Sequence, residues 1–455
     1  MSRQSTPERN ALIADLLEKM RRQLQEQLPD QSATLDQIEE AAGQIGRQVS
    51  RQVSRDIQKR LIGQRGQQPR PPKAPCVCGA AARYKGQQAR RIVTAHGVLT
   101  YKRACYHCAA CQHTLAPLDH ALGLDSGSTT TQVRLWVALL AGQLPFAQAA
   151  TTLQMLTQVA LSAASVERLS VAIGTSLRQH QHQQAQQHQA GILPEPSQPR
   201  PKRLYIGLDG VFVPLREAWK KDKSQGALTC RWGECKTGVV YEACQDKQGK
   251  DSRVRTRAYV ATLGEVETFA PLLGTLAHQH GHHLAKEVVV IGDGAPWIWQ
   301  LAARQFRGAV QIVDFFHAAQ HLAELAQARF GKDTQAAQDW LAARQEDLKT
   351  DRLDKVLAAI RAWRPASGAK RQLRRRAFGY FRNNAERMRY QSFVEKGYHI
   401  GSGVVEATCK QVVAQRLDQA GMHWRQHSAE AIVALRAAQL CTRPADLRPH
   451  CLLPA

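Results

Sequence analysis

The sequence predicts an α/β fold organised around a central mixed sheet, and two apolar segments carry this prediction. Residues 204–213 read LYIGLDGVFV and residues 287–293 read EVVVIGD, and each run contains an aspartate that is followed by glycine. Nearly continuous apolar runs are typical of strands that are buried on both faces. Because burying an unpaired carboxylate is costly, Asp209 and Asp293 either end their strands in a turn or belong to a site at the sheet edge.

The order of elements after residue 203 specifies the kind of α/β fold. Three β-prone stretches come first, and helix, strand, helix, strand and helix follow in turn. This is the order of the ribonuclease-H-like fold, which we predict for residues 204–331 together with residues 399–440. Residues 332–398 have a helical pattern throughout and form a predicted all-helical insertion. The predicted elements are residues 204–213, 230–243, 254–263, 265–280, 288–291, 297–306, 310–313 and 318–330.

Smaller segments surround this predicted domain. Residues 1–68 are predicted to be helical, because apolar residues recur at steps of three and four. This region either oligomerises or packs on its own chain. Four prolines mark residues 191–203 as a stiff linker. The other predicted segments are a zinc-ribbon-like hairpin at residues 69–122, a helix-turn-helix-like segment at residues 123–190 and a tail at residues 441–455.

The charge of the chain favours a polyanionic partner. Lysine and arginine number 62 against 38 acidic residues, which gives a formal net charge of +24. Such an excess provides salt-sensitive affinity for nucleic acid. No apolar run reaches the length of about 18 residues that a membrane-spanning helix needs. Because the first residues, MSRQSTPERN, lack an apolar signal core, we predict a cytoplasmic protein that does not bind membranes.

The cysteines predict a metal site. Five of the eleven lie within residues 76–111, a clustering that favours metal binding in a reducing compartment over a disulfide framework. They form a CxC knuckle and a CxxC knuckle on either side of a β-hairpin, which is the plan of a zinc ribbon. Because the first knuckle is CxC, Cys105 or His107 could replace one ligand, and a cluster of free buried thiols is the alternative. The predicted zinc ligands are Cys76, Cys78, Cys108 and Cys111.

Two segments are candidates for contact with DNA. In residues 123–190, a break at residues 157–161 separates two helices, and Ser162 is suited to cap the second. This pattern could place a helix in the major groove, although a plain helical hairpin would look the same. Residues 361–389 hold ten lysines or arginines against one acid, with aromatic residues between them. We interpret this run as a surface that binds nucleic acid rather than as a solvated face.

A third acid completes a candidate catalytic set. Glu406 lies in GSGVVEATCK, at the start of the last major helix. An acid there is commonly favoured by the helix dipole, but Glu406 comes third after Asp209 and Asp293, as in the acid set of ribonuclease-H-like domains. Three carboxylates on rigid elements suit Mg²⁺ or Mn²⁺, because hard ions prefer oxygen ligands. Two such ions, about 3.5–4 Å apart, clamp the attacking and leaving oxygens of a scissile phosphodiester.

At these residues the chain resembles bacterial insertion-sequence transposases of the ISKra type, a DDE family. The blocks YIGLDG, VVVIGDGAPWIW, VQIVDFFHAAQHL, GSGVVEATCK and GMHW carry the resemblance, which covers most of residues 75–440. It implies that Asp209, Asp293 and Glu406 bind the catalytic ions. It also implies an enzyme that cuts the terminal inverted repeats of its own element and joins them to target DNA. We therefore expect a homodimer or higher homo-oligomer that is associated with the bacterial nucleoid.

Further residues are predicted to support this chemistry. His317 and Asp314 follow a strand and could assist the metal ligands, although core packing is an equal alternative for a histidine. Trp297 could stack on a displaced base at a cut end, whereas core packing is the commoner fate of tryptophan. The predicted DNA-binding residues are Arg371, Arg374, Arg375, Arg376, Lys410, Arg416, Arg425 and Trp297.

Two other functions are compatible with the same residues. The carboxylates could serve a metal-dependent nuclease or resolvase that does not carry out strand transfer. Alternatively, the zinc ribbon and the helix-turn-helix could belong to a DNA-binding regulator with an inactive catalytic fold. Intact acids at all three positions disfavour the inactive fold. Inverted repeats flanking the coding region would favour a transposase over both.

Overall fold

The computed structural model describes residues 33–66, 71–124, 127–196, 200–216, 230–245, 252–401, 403–441 and 444–452, with a few residues between 14 and 26. Two compact units are present. The first comprises Met1–Trp136, Thr151–Leu161 and Leu453–Ala455, and the second comprises Val137–Ala150 and Ser162–Leu452. The seven segments predicted from the sequence divide the chain more finely, and their boundaries stay predictions.

The first unit contains an antiparallel sheet and its flanking helices. The elements are α1 (Leu35–Gly66), β1 (Lys73–Pro75), β2 (Ala81–Thr94), β3 (Gly97–His107), β4 (Thr114–Leu115) and α2 (Pro117–Ala121). The strands lie in the order β1-β2-β3-β4, so β2 and β3 form the predicted hairpin between the two cysteine knuckles. Beneath the hairpin, Asp119 is buried, accepts a 2.6 Å hydrogen bond from the Tyr101 hydroxyl and pairs with Arg90 and Arg103.

Three helices follow in the chain: α3 (Thr131–Ala141), α4 (Phe146–Thr157) and α5 (Ala163–Gln189). The predicted cap at Ser162 is confirmed, because its side chain accepts a 3.2 Å hydrogen bond from the Ser165 backbone N–H. Such a bond satisfies one of the amide groups that a helix start leaves unpaired. Helix, break and helix therefore occur where the sequence predicts them, and their contact with DNA stays a prediction.

The second unit is built on a mixed five-stranded sheet. Its elements are β5 (Arg203–Arg216), β6 (Cys230–Gln245), β7 (Ser252–Leu263), α6 (Val266–Gln279), β8 (Glu287–Gly292), α7 (Pro296–Gln305), β9 (Val310–Val313) and α8 (Phe315–Phe330). The strand order is β7-β6-β5-β8-β9, in which β5, β6 and β7 are antiparallel while β5, β8 and β9 are parallel. The predicted mixed α/β fold is confirmed. Strand β5 is apolar on both faces because it lies at the centre of this sheet.

The other elements described in the second unit are helical. The predicted helical insertion contains α9 (Gln335–Lys349), α10 (Leu353–Ala362), α11 (Gly368–Asn383), a 3₁₀ turn (Ala385–Arg387) and α12 (Tyr390–Glu395). The chain ends with α13 (Gly403–Thr408), a π-helical segment (Cys409–Ala414), α14 (Gln415–Leu417), α15 (Gln426–Cys441) and a 3₁₀ segment (Pro444–Cys451). Throughout the described ranges, every helix is too short or too polar to cross a lipid bilayer.

Candidate active site and metal centre

Asp209 and Asp293 lie side by side at one edge of the sheet. Leu208 on β5 pairs with Gly292 on β8, so Asp209, the next residue of β5, and Asp293, the first residue after β8, occupy adjacent positions. Neighbouring strands are about 4.8 Å apart. Both residues are half-buried. The parallel register therefore brings the two carboxylates, which are far apart in the sequence, to one place.

Two donors orient the Asp209 carboxylate. Its Oδ1 accepts a 2.7 Å hydrogen bond from the Gly210 N–H, and its Oδ2 lies 3.2 Å from the Cys409 thiol. Burial raises the pKa of Cys409, so this thiol stays protonated and can donate. Burial also raises the pKa of Asp209; the two hydrogen bonds oppose that effect and the charge of Asp293 adds to it. A nearby cation would favour the ionised form of this carboxyl group.

The turn after β8 holds Asp293 in place. Asp293 Oδ1 accepts a 2.8 Å hydrogen bond from the Ala295 N–H, and its backbone oxygen accepts one of 2.8 Å from the Tyr380 hydroxyl. Gly294 has φ = +104°, and a Cβ there would lie 2.6 Å from Tyr380 Cε2. Glycine is required at this position both for its backbone conformation and for the close packing of the Tyr380 ring.

The helix that carries Glu406 packs directly on strand β5. Val405 Cγ2 lies only 2.3 Å from the position that a Cβ on Gly207 would occupy, so the absence of a side chain on the strand lets α13 approach. Glu406 is exposed and stands three residues before Cys409, whose thiol contacts Asp209. Residues three apart share a helix face. Glu406 therefore lies about one helical turn before the residue whose thiol contacts Asp209.

The three acids do not form a tight cluster. Among the described residues, groups of three or more ligating side chains with all their ligand atoms within 4.8 Å occur at two other places, and the acid set is not one of them. Sheet register brings Asp209 and Asp293 together, whereas Glu406 is exposed on a helix that packs on β5.

The two predicted assisting residues lie at the start of α8. Asp314 is buried and caps the helix, because its Oδ1 accepts a 3.1 Å hydrogen bond from the His317 N–H. His317 is half-buried, and its charge lowers the pKa of Asp209. His317 is therefore close enough to Asp209 to act on its charge, while Asp314 caps the helix.

The predicted basic surface lies on helix α11. The helix is anchored by the fully buried Phe381 and by the Tyr380 hydrogen bond to the Asp293 turn. Arg374 is half-buried and donates a 2.8 Å hydrogen bond to the Trp363 backbone oxygen. The exposed basic residues of the helix start at its first turn and are Lys370, Arg371, Arg375, Arg376 and Arg382. The helix that carries these basic residues is therefore packed against the turn that contains Asp293.

The other predicted DNA contacts differ in exposure. Lys410 and Arg425 are exposed, as a phosphate contact requires. Arg416 is only 1% exposed, and its Nε donates a 2.8 Å hydrogen bond to the Ala141 backbone oxygen. Its guanidinium also lies 5.0 Å from the centre of the Trp424 ring. Burial lowers the pKa of Arg416 to about 10. The expected phosphate contact at Arg416 is therefore corrected, because this side chain is a core group.

Trp297 is packed against its own unit. The indole is half-buried, its centroid lies 6.0 Å from that of Phe269 in an edge-on arrangement, and Lys236 Nζ lies 5.6 Å from its centre. Lys236 is itself buried and bonded to Glu234 at 2.9 Å. Core packing, which was the alternative for this tryptophan, therefore accounts for much of its surface, and stacking on a base stays a prediction.

The four predicted cysteine ligands come together in the first unit. Their sulfur atoms all lie within 4.8 Å of one another, with Cys76 and Cys111 at 3.5 Å and Cys78 and Cys108 at 3.6 Å. Four thiolates around zinc at about 2.3 Å would be about 3.8 Å apart, so the set fits a tetrahedral zinc ion. Backbone N–H groups, chiefly that of Cys111, lower the pKa of Cys108 to about 7. The CxC spacing of the first knuckle is therefore no obstacle to a four-cysteine centre.

Comparison with known proteins assigns the chain to a family. Residues 80–444 match a family that is described as "Uncharacterised protein family (UPF0236)". The chain belongs to this family. One relative, the "UPF0236 protein in vanSb 3'region" of Streptococcus gallolyticus, is 22% identical over 362 residues, which are 77% of this chain and 73% of the relative.

One solved structure shows a weaker similarity to this UPF0236 protein. The Drosophila P element transposase strand transfer complex gives a TM-score of 0.24 with 13% sequence identity. The similarity covers 64% of this chain and 65% of that chain, so the chain spans a little under two thirds of that neighbour. Similarity at this level is too low to establish a shared fold.

Three residues around the acids of this UPF0236 protein escaped sequence reasoning. Thr237 lies opposite Asp209 on β6, and its Oγ1 is 3.1 Å from the Asp209 backbone oxygen and 3.2 Å from the Cys409 sulfur. Cys409 stands one helical turn after Glu406, a spacing that could have indicated it. Tyr380 is one of the aromatic residues in the basic run, but no sequence signal links it to Asp293.

Proposed function

We propose that this protein is a DDE transposase that cleaves the ends of its insertion sequence and joins them to target DNA. One observation carries the proposal: Asp209 on β5 and Asp293 just after β8 occupy adjacent positions through the parallel register of these strands, and the helix with Glu406 packs on β5. The sheet order β7-β6-β5-β8-β9, with helices between the later strands, supports a ribonuclease-H-like domain. The resemblance to ISKra-type transposases agrees with this assignment.

The aspartate pair suits a hard divalent ion. Mg²⁺ is usually held by one or two carboxylates together with phosphate oxygens of the substrate and water. Asp209 and Asp293 would bind it, and the exposed Glu406 would reach the same place from its helix. Bound there, Mg²⁺ or Mn²⁺ would lower the pKa of an attacking water or hydroxyl and neutralise charge on the scissile phosphate.

The chain's own residues would position the DNA. The Gly210 and Ala295 amides and the Cys409 thiol fix the aspartate oxygens, so the carboxylates need little reordering when they bind a cation. The exposed basic residues of α11 would bind DNA phosphates, because the helix is tied to the Asp293 turn through Tyr380. We propose the same role for Lys410, next to Cys409, and for Arg425. The four-cysteine centre would hold a structural zinc in the first unit.

A cleavage and joining assay would test this function. The full-length protein is incubated with labelled DNA from the flanks of its own coding region, in Mg²⁺ or in EDTA. We expect nicks at the terminal inverted repeats and joined products in Mg²⁺, and neither in EDTA. Nicks without joined products would establish a nuclease or resolvase instead. Binding without any cleavage would indicate a regulator.

Three conservative substitutions test the roles of the acids. Asp209→Asn, Asp293→Asn and Glu406→Gln should each abolish cleavage and leave DNA binding largely intact. The matched control is Asp354→Asn, which removes the same charge at an exposed position on α10. Wild-type activity in one of the three would remove that residue from the site. Equal loss in Asp354→Asn would mean that net charge rather than the site controls the assay.

The basic face of α11 is tested by the salt dependence of DNA binding. Replacing Lys370, Arg371, Arg375 and Arg376 with glutamate should weaken DNA binding. A plot of the logarithm of the binding constant against the logarithm of the salt concentration should become less steep by roughly 0.9 for each DNA phosphate that the variant no longer binds. Charge reversal of the exposed Arg304, on α7, and Arg307, just after it, is the control. An unchanged slope in the α11 variant would show that this face is solvated and does not bind DNA.

Light scattering on the DNA complex would test the proposed homodimer or higher homo-oligomer.

A further inference from the structure

Histidines cluster at the edge of the sheet opposite the candidate active site. His278 lies in the last turn of α6, and His283 follows the turn that leads to the start of β8. Glu195 precedes the start of β5. The acids Asp209 and Asp293 lie at the other ends of these strand segments. The cluster is therefore separate from the proposed catalytic residues.

The cluster has the geometry of a ligand set. Glu195, His278 and His283 each offer one ligating atom, and the three atoms lie within 4.8 Å of one another. His283 Nε2 is 2.8 Å from Glu195 Oε2, and the rings of His278 and His283 are stacked with their centroids 4.4 Å apart. The His188 ring, near the end of α5, is 4.6 Å from that of His278.

Hydrogen bonding specifies the tautomer of His188. The Thr275 hydroxyl donates its single hydrogen to the Pro271 backbone oxygen at 2.8 Å. The same hydroxyl lies 3.3 Å from His188 Nδ1, where it must therefore accept. This arrangement requires a hydrogen on Nδ1 and leaves a lone pair on Nε2. A metal-binding histidine commonly uses its second ring nitrogen in this way.

His278 has a nitrogen without a hydrogen-bond partner. Its Nε2 is buried and unpaired among the residues that the structure describes. A buried polar atom that lacks a partner is unfavourable unless something else binds it.

Residues that follow Glu195 are packed on the turn between the two histidines. Gly281 has φ = +72°, and a Cβ there would lie 3.4 Å from Pro201 Cδ and 3.8 Å from Pro196 Cγ. Arg200 donates from its Nε to the Leu284 backbone oxygen. The packing of Pro196, the next residue, keeps the backbone of Glu195 near the two histidines.

We propose that Glu195, His278 and His283 form a second transition-metal site that takes Zn²⁺, with His188 beside it as a fourth ligand. Two imidazole nitrogens and a carboxylate are ligands that zinc accepts, whereas Mg²⁺ prefers oxygen throughout. The bound ion would tie the segment between α5 and β5 to the end of α6. It would thereby stabilise the second unit independently of the cysteine centre.

The test compares metal uptake by full-length variants. Metal-free protein is titrated with Co²⁺ and then with Zn²⁺, for the wild type, Glu195→Gln and the pair His278→Ala/His283→Ala. The Glu195 side chain is 71% exposed, so Glu195→Gln keeps the fold even if the histidine pair does not. His427→Ala, an exposed histidine on α15, is the control. Thiolate-to-cobalt absorption reports the cysteine centre separately.

We expect wild type and His427→Ala to bind one equivalent more than the histidine pair, with unchanged thiolate absorption in all variants. Glu195→Gln should weaken the affinity for this equivalent at least tenfold, because a charged ligand is removed. A variant with Cys78→Ser and Cys111→Ser should still bind one equivalent. The proposal is overturned if wild type takes up metal only at the cysteines, or if Glu195→Gln and the histidine pair bind as much and as tightly as wild type.

Discussion

Replacing Gly207 with alanine should separate the helix that carries Glu406 from the strand that carries Asp209. The new Cβ would lie 2.3 Å from Val405 Cγ2 and 2.9 Å from Val239 Cγ1, whereas ordinary contacts begin at 3.4 Å. Val405 is only 2% exposed and is stiff because it is branched at Cβ. The helix must therefore move by about 1.1 Å to restore a normal contact.

This displacement should affect stability and catalysis to different extents. Overpacking of a core typically costs about 1–3 kcal/mol in the free energy of unfolding. A misplacement of about 1 Å in an active site can reduce the rate about 100-fold. We therefore expect Gly207→Ala to remain folded, with a lower denaturation midpoint in urea, and to cleave DNA about 100-fold more slowly than wild type.

Two further variants make the reasoning refutable. Adding Val405→Ala removes the closest contact and leaves the Val405 Cβ at 3.6 Å, so the double variant should regain part of the activity that Gly207→Ala lacks. Gly233→Ala is the control, because its Cβ would clash with Leu215 Cδ1 at 2.4 Å on the same sheet but away from α13. It should lose stability and keep its cleavage rate per folded molecule. Full activity in Gly207→Ala, or equal loss in Gly233→Ala, would refute the proposed coupling between strand and helix.

Three other predictions concern single groups. Asp119→Ala should lower the free energy of unfolding by about 3 kcal/mol, because it leaves two arginines without their buried partner; an unchanged urea midpoint would contradict this. Tyr380→Phe removes a hydrogen bond to the Asp293 backbone oxygen and should cost about 1 kcal/mol. It should slow cleavage more than it weakens DNA binding, and equal effects on both would exclude a positioning role. Because burial raises the pKa of Asp209, the stability linked to its protonation is present at low pH and is lost as the pH rises through the folded-state pKa. Metal-free Asp209→Asn should therefore be more stable than wild type at neutral pH, and urea titrations should show this difference fading on acidification.

Local sequence patterns predicted the elements whose formation depends on residues close by in the sequence. The Ser162 cap and the strand at residues 310–313 occur where the sequence places them. The ribonuclease-H-like order also predicts that Asp209 meets Asp293, because it places an acid on the first strand beside one just beyond the fourth; in the structure β5 continues past Asp209 to Arg216. Arg416 could not be predicted in this way. Its burial depends on a carbonyl 275 positions away, and nothing in the local sequence distinguishes it from an exposed arginine.

By itself, the sequence predicted the mixed α/β class, the helices within residues 332–398 and a metal site among the clustered cysteines, because residue spacing indicates each of them, whereas the choice of Cys76, Cys78, Cys108 and Cys111 over the alternatives needed the structure. Only the tertiary structure decided that Tyr380 covers the Asp293 turn, that Cys409 contacts Asp209, and that a glutamate joins two histidines 83 and 88 positions away. The physical reason is the range of the interactions. Periodicity and capping act within a few residues, whereas these contacts arise when sheet register and helix packing bring distant segments together.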